Sequence, residues 1–136
     1  QLAIAKSYLA QKDYDNVRNI AIKLAGKRDT ETEGHYLLGI TSYATKDYPQ
    51  ALLSLSKATR ADKSNSTAWL SLADTYIQMK QQDKVRATIE KAVAGDDKSF
   101  AAAYRLGLLE YEAGEYKKAA ISRCFFYFNY VRYFSR

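Results

Sequence analysis

The 136-residue chain predicts an all-α fold, a solenoid of antiparallel helical hairpins stacked side by side. Three observations carry this expectation. First, apolar residues recur at helical spacing. Trp69, Leu72, Ala73 and Tyr76 fall at i, i+3, i+4 and i+7, and Val85, Ile89, Ala92 and Val93 resume the pattern after the polar break Lys80-Gln81-Gln82-Asp83. Second, the pattern returns every 34 residues: Ile4, Leu38, Leu72 and Leu106 form one column, and the small residues Ala5, Gly39, Ala73 and Gly107 form the next. Third, one proline and six glycines leave few breakers for long helices.

Other columns stay in phase. Asp13, Asp47, Gln81 and Glu115 fill the turn between the two helices of each hairpin, and Tyr14, Tyr48 and Tyr116 follow them, with Gln82 the exception. Val17, Ala51, Val85 and Ala119 share a position, as do Leu24, Ala58 and Ala92. In the first unit Ile4, Ala5, Tyr8 and Leu9 form the expected buried stripe. Asp15 is its expected cap, and the second helix ends near Gly26. In the second unit Lys46-Asp47-Tyr48 turns the chain, and Pro49 takes the first helical position, where a missing N–H costs nothing. Ala51, Leu52, Leu55 and Ala58 face inward. In the third, Ser66 or Thr67 is expected to cap the helix that carries Trp69 and Leu72, both buried, and Gly95-Asp96-Asp97 closes the unit. The fourth starts near Phe100.

These residues resemble the tetratricopeptide repeat, whose pattern is W-x2-L-G-x2-Y, then A-x3-F and later P. Trp69, Leu72 and Tyr76 match it, whereas Ala73 stands for Gly, Val85-x3-Ile89 for A-x3-F, and Asp97 for Pro. The resemblance covers residues 1 to about 122 as one domain of nearly four repeats, about 1–31, 32–65, 66–99 and 100–122. It implies a right-handed α-solenoid of antiparallel hairpins that binds a protein or peptide and acts as an assembly scaffold. The loose, polar-rich repeats resemble those of bacterial envelope, secretion and exopolysaccharide systems. Gln1 falls inside the first helix without a polar capping face, so the chain reads as part of a longer array. Cytoplasm and bacterial periplasm or envelope both stay open as its compartment.

The pattern fails after Ile121. Arg123 takes the column of Leu55 and Ile89, and Phe126 takes that of Ala58 and Ala92. Residues 125–134 carry rings on every side, and residues 123–136 form an aromatic and basic tail. Three readings remain: a non-native end such as a frame change, a sticky helix that docks a partner or a bilayer surface, and a true closing helix. The bilayer reading makes a peripheral, lipid-contacting module the alternative function.

Chemistry is sparse. Net charge is +6, yet residues 66–99 balance five Lys/Arg against five Asp/Glu, so the repeat body lacks the basic stripe of a nucleic-acid binder. The glycines form no phosphate loop, no serine sits in an elbow motif, and Cys124 has no partner cysteine. His35 is the only histidine, without a ligand at metal spacing, and is expected to be a half-buried packing residue in the column of Trp69. No catalysis, cofactor or metal is expected.

Function therefore falls to the surface that stacking creates. The resemblance implies that the first helices line a concave groove with repeat positions 2, 5, 9, 12 and 13. Carried over, positions 5 and 12 are Leu2 and Leu9, Tyr36 and Tyr43, Leu70 and Ile77, and Tyr104 and Tyr111. Each pair is separated by two turns, about 10.5 Å along the axis. Position 9 adds Lys6, Ile40, Asp74 and Leu108. The expected partner site is Tyr36, Tyr43, Leu70, Asp74, Ile77, Tyr104, Leu108 and Tyr111, and the same column also serves repeat-to-repeat packing. Some members of the family clamp a C-terminal carboxylate with Lys at position 5. Leu2, Tyr36, Leu70 and Tyr104 occupy it here, so Lys6 and Arg105 alone do not rebuild that clamp.

Overall fold

A computed structural model describes residues 1–115, 117 and 118. The described residues form seven α-helices and no strand. They are α1 (Leu2–Ala10), α2 (Tyr14–Ala25), α3 (Glu31–Ala44), α4 (Tyr48–Ala61), α5 (Ser66–Gln78), α6 (Gln82–Gly95) and α7 (Phe100–Glu112), with a 3-10 turn at Arg28–Thr30. Pairs α1–α2, α3–α4 and α5–α6 are hairpins. The second helix of each packs on the first helix of the next, as α2 on α3, α4 on α5 and α6 on α7. This is the all-α solenoid that the period predicts.

The turns repeat as closely as the core. Among the described residues Lys12, Lys46, Lys80 and Gly114 have positive φ, between 58° and 76°, and they stand 34 apart. Each donates its N–H to the carbonyl three residues back, and the next residue donates to the carbonyl five back: Asp13 to Tyr8 at 2.9 Å, Asp47 to Ser42 at 2.8 Å, Gln81 to Tyr76 at 2.9 Å and Glu115 to Glu110 at 2.8 Å. These are Schellman closures that satisfy the last carbonyls of each first helix. Asp13 and Asp47 then cap α2 and α4, accepting from Asn16 and Gln50. The cap of α2 is thus Asp13 and not Asp15. Pro49 is the second helical residue, after Tyr48, and α5 is capped by Asn65 rather than by Ser66 or Thr67. Each correction has one cause. The helix starts one or two residues earlier than composition implied, so the side chain that reaches N3 lies outside the expected cap.

Ala5, Val17, Ala21, Leu24 and Leu37 make one core cluster across the first two hairpins, with Tyr8, Leu9, Ile20, Leu38 and Ile40 packed against it. Ala73, Val85 and Ile89 make another, flanked by Leu70, Tyr76, Ile77, Leu106 and Leu109. Small residues let backbones approach: in the small column a Cβ on Gly39 would run into the side chain of Leu55, and outside that column one on Gly34 would run into the backbone of Ala25. Buried hydroxyls are satisfied within their own helices, Thr41 by Leu37 and Thr75 by Ser71. Among the described residues no buried side-chain polar atom lacks a partner.

Two burial expectations are corrected. Ile4 is 54% exposed, whereas Leu72, in the same column, is 4% exposed. Leu38 is covered by the hairpin before it, and α1 has no such hairpin among the described residues. Trp69 is half-buried, because its ring lies at the start of α5 over the loop from α4. Its Nε1 donates to the Lys63 carbonyl at 3.0 Å, and the Lys91 ammonium sits 5.4 Å from the ring centre. The departure of residues 123–136 from the repeat falls outside the described residues.

Candidate functional site

The first helices α3, α5 and α7 carry the predicted site residues. On α3, Tyr36 and Tyr43 are both half-buried. The Tyr43 ring meets Tyr48 at the start of α4 edge to face, 5.6 Å between centres at 63°, so it helps close its own hairpin. On α5, Leu70 and Ile77 pack against the Ala73, Val85 and Ile89 cluster, which Leu106 and Leu109 of α7 also touch. Leu106 and Leu109 thus join α7 to the third hairpin. Asp74, between Leu70 and Ile77 on α5, is held by Arg105 of α7 at 2.5 Å. Both partners are part-exposed.

On α7 the arrangement changes. Tyr104, Leu108 and Tyr111 are 52%, 41% and 58% exposed. Phe100 is 54% exposed and stacks on Tyr104, with ring centres 5.9 Å apart and 4° between planes. Spacings of four, four and three put all four on one helical face. Phe100 and Arg105 were missed by the position-by-position reading. Phe100 lies outside the five groove positions, although its spacing of four from Tyr104 signals the stack. Arg105 pairs with Asp74 31 residues away, short of the repeat period, so the phase of the repeat does not signal the pair.

His35 lies 3.8 Å from Glu31 on its own helix. Burial pushes its pKa below the ordinary 6.5, Lys57 pushes the same way, and Glu31 opposes both. No group of three or more His, Cys, Asp or Glu gathers among the described residues. No described helix is long and apolar enough to cross a membrane. Two surface depressions involve the first hairpin and neither is lined by Tyr36, Tyr43, Tyr104 or Tyr111: one is bounded by Ile4, Tyr8, Ile20 and Ile22, the other by Leu2, Leu24, Thr30 and Glu33.

Comparison with known proteins agrees with this architecture. Residues 42–107 match the family model described as tetratricopeptide repeat. A search of curated proteins returns no significant match. Among solved structures, one titled "MamA RS-1 ArsTM double mutant" superposes with a TM-score of 0.70 at 21% identity, covering 92% of this chain and 70% of that one. Another, titled "Crystal structure of MamA", gives 0.68 at 21% identity over 90% of this chain and 72% of that one. At this identity the likeness speaks for the fold.

Proposed function

Starting from tetratricopeptide repeats over residues 42–107, we propose that the chain is a protein-interaction scaffold that holds a segment of a partner protein along its row of first helices, without catalysis. The observation that carries this reading is the exposed apolar face of Tyr104, Leu108 and Tyr111 on α7, in line with half-buried Tyr36, Tyr43, Leu70 and Ile77. Exposed rings in one stripe cost hydration free energy that covering would recover, at roughly 25 cal/mol per Å². Tyrosine suits such contacts because its ring is rigid and its hydroxyl stays wet. Adjacent first helices step by roughly 10 Å, the helix packing distance, so a segment touching both α3 and α7 crosses three hairpins. Charge supports a partner that is neither nucleic acid nor strongly ionic, because Asp74 and Arg105 neutralise each other within the row.

The test is a peptide-array screen with the full chain, followed by Tyr43→Ala and Tyr111→Ala against any hit. Loss of more than about 1 kcal/mol at either ring supports the site. Affinity unchanged in both variants, with helical circular dichroism intact, would move the contact off this face.

A further inference from the structure

We infer that the boundary between the third hairpin and α7 is a salt-sensitive joint, at which α7 and the turn after it loosen from the rest of the array as ionic strength rises. Among the described residues, ion pairs between units occur at this boundary alone; the others lie within a helix or beside the last turn. Asp74 of α5 accepts from Arg105 of α7 at 2.5 Å. Glu115, in the turn after α7, accepts from Arg86 of α6 at 2.7 Å. Both helices of the third hairpin are thus fastened to the fourth unit by charge. Arg86 also holds Glu90, and Lys118 lies 3.5 Å from Glu115.

The earlier boundaries close without charge. Leu37 of α3 is buried in one cluster with Val17, Ala21 and Leu24 of α2, and Gly34 lies against the Ala25 backbone. Between α4 and α5 the Lys63 carbonyl accepts from the Trp69 Nε1 and lies against Gly95 of α6. At the last boundary α7 brings Leu106 and Leu109, which are only partly buried against the third hairpin's cluster. The side chains of both ion pairs are 28% exposed or more, so dissolved ions reach them. Salt shortens the range of charge attraction from about 10 Å at 0.1 M to about 3 Å at 1 M, and it leaves backbone contact and apolar burial in place. The joint lies between Leu70 and Ile77 on α5 and Tyr104 and Tyr111 on α7, so its opening changes their spacing. It stands whether or not a partner occupies that row.

The test is hydrogen–deuterium exchange of the 136-residue chain, without a partner, read helix by helix in about 0.05 M and about 1 M sodium chloride. Exchange of the α7 amides should rise about fivefold with salt relative to those of α3 and α4. A double variant, Asp74→Asn with Glu115→Gln, keeps the side-chain shapes and removes both carboxylate charges. Its α7 should exchange faster than the parent's at low salt and show no further rise at high salt. Three results would overturn the inference. One is a salt response of α7 no larger than that of α3. Another is a parental salt response in the double variant. The third is equal loss of protection in α3 and α7 of that variant, which would make the pairs supports of the whole array. Because no partner is present, none of these results bears on the scaffold reading.

Discussion

Asp74 on α5 and Arg105 on α7 pair directly, linking the first helices of successive hairpins. The pair is part-exposed on both sides, so water screens it and its contribution is small. Asp74→Ala should lower unfolding stability by about 1 kcal/mol or less, and a double-mutant cycle with Arg105→Ala should give a coupling that fades as salt rises. Urea denaturation at low and high ionic strength measures both. A coupling indifferent to salt would assign the contact to packing of the Arg105 stem.

Gly34 marks where α3 comes closest to the end of α2. A methyl group there would overlap the backbone of Ala25, which cannot rotate away as a side chain can. Gly34→Ala should therefore cost about 3 kcal/mol, the upper end of overpacking. Gly39→Ala should cost less, because the obstacle is the flexible Leu55 side chain. Gly26→Ala meets nothing nearer than 3.6 Å and serves as the near-neutral control. Thermal unfolding of the three variants should rank them in that order.

Much of this frame was legible in the sequence because a 34-residue period exposes core and turn together. Ala5, Ala73, Val17 and Val85 could be placed by phase alone, and all are buried. Pairings that do not follow the period could not be placed. Arg105 reaches Asp74 across 31 residues, and Trp69 bonds to a loop carbonyl that no pattern encodes. For the groove, residue type gave position on the helix but not exposure. Exposure depends on neighbouring side chains: Leu70 packs against the Ala73, Val85 and Ile89 cluster, whereas Tyr104 is 52% exposed.

The left-handed lysines hold a stability reserve. Lys46 at φ 63° and Lys80 at φ 58° occupy the same turn position as Gly114 at φ 76°. A non-glycine residue there carries a strain of about 1–2 kcal/mol, partly offset by the freedom glycine loses on folding. Lys46→Gly and Lys80→Gly should each stabilise by about 0.5–1 kcal/mol. Differential scanning calorimetry should show a higher midpoint for each, and a lower one would indicate that the lysine side chains contribute more than their backbone strain costs.

Folding should also respond to pH through His35. Burial and Lys57 hold its folded pKa below 6.5, while Glu31 pulls it upward less strongly. The unfolded chain then takes up the proton before the folded chain does. Stability is fully present above pH 6.5 and falls as pH drops from there through the folded pKa. His35→Gln should flatten that segment of the stability curve. Urea midpoints measured across this window in parent and variant give the difference, and superimposable curves would remove His35 as the cause.

The last prediction separates the tyrosines by what each one does. Tyr43 is half-buried and its ring engages Tyr48, so truncating it removes packing inside the second hairpin. Tyr111 and Tyr104 are more than half exposed, so their truncation leaves less unfilled space. Tyr43→Ala should therefore lower stability by about 2 kcal/mol, whereas Tyr104→Ala and Tyr111→Ala should change it by less than about 1 kcal/mol. Partner binding should show the reverse order, with more than about 1 kcal/mol lost at each α7 ring and less at Tyr43 once its folding defect is discounted. The two axes can be read on the same samples, by chemical denaturation and by titration of a screened peptide. A plot of binding loss against stability loss should place Tyr43 and the α7 tyrosines in opposite corners. If all three fell on one rising line, weakened binding would merely follow weakened folding, and no ring of the row would be assigned to the partner.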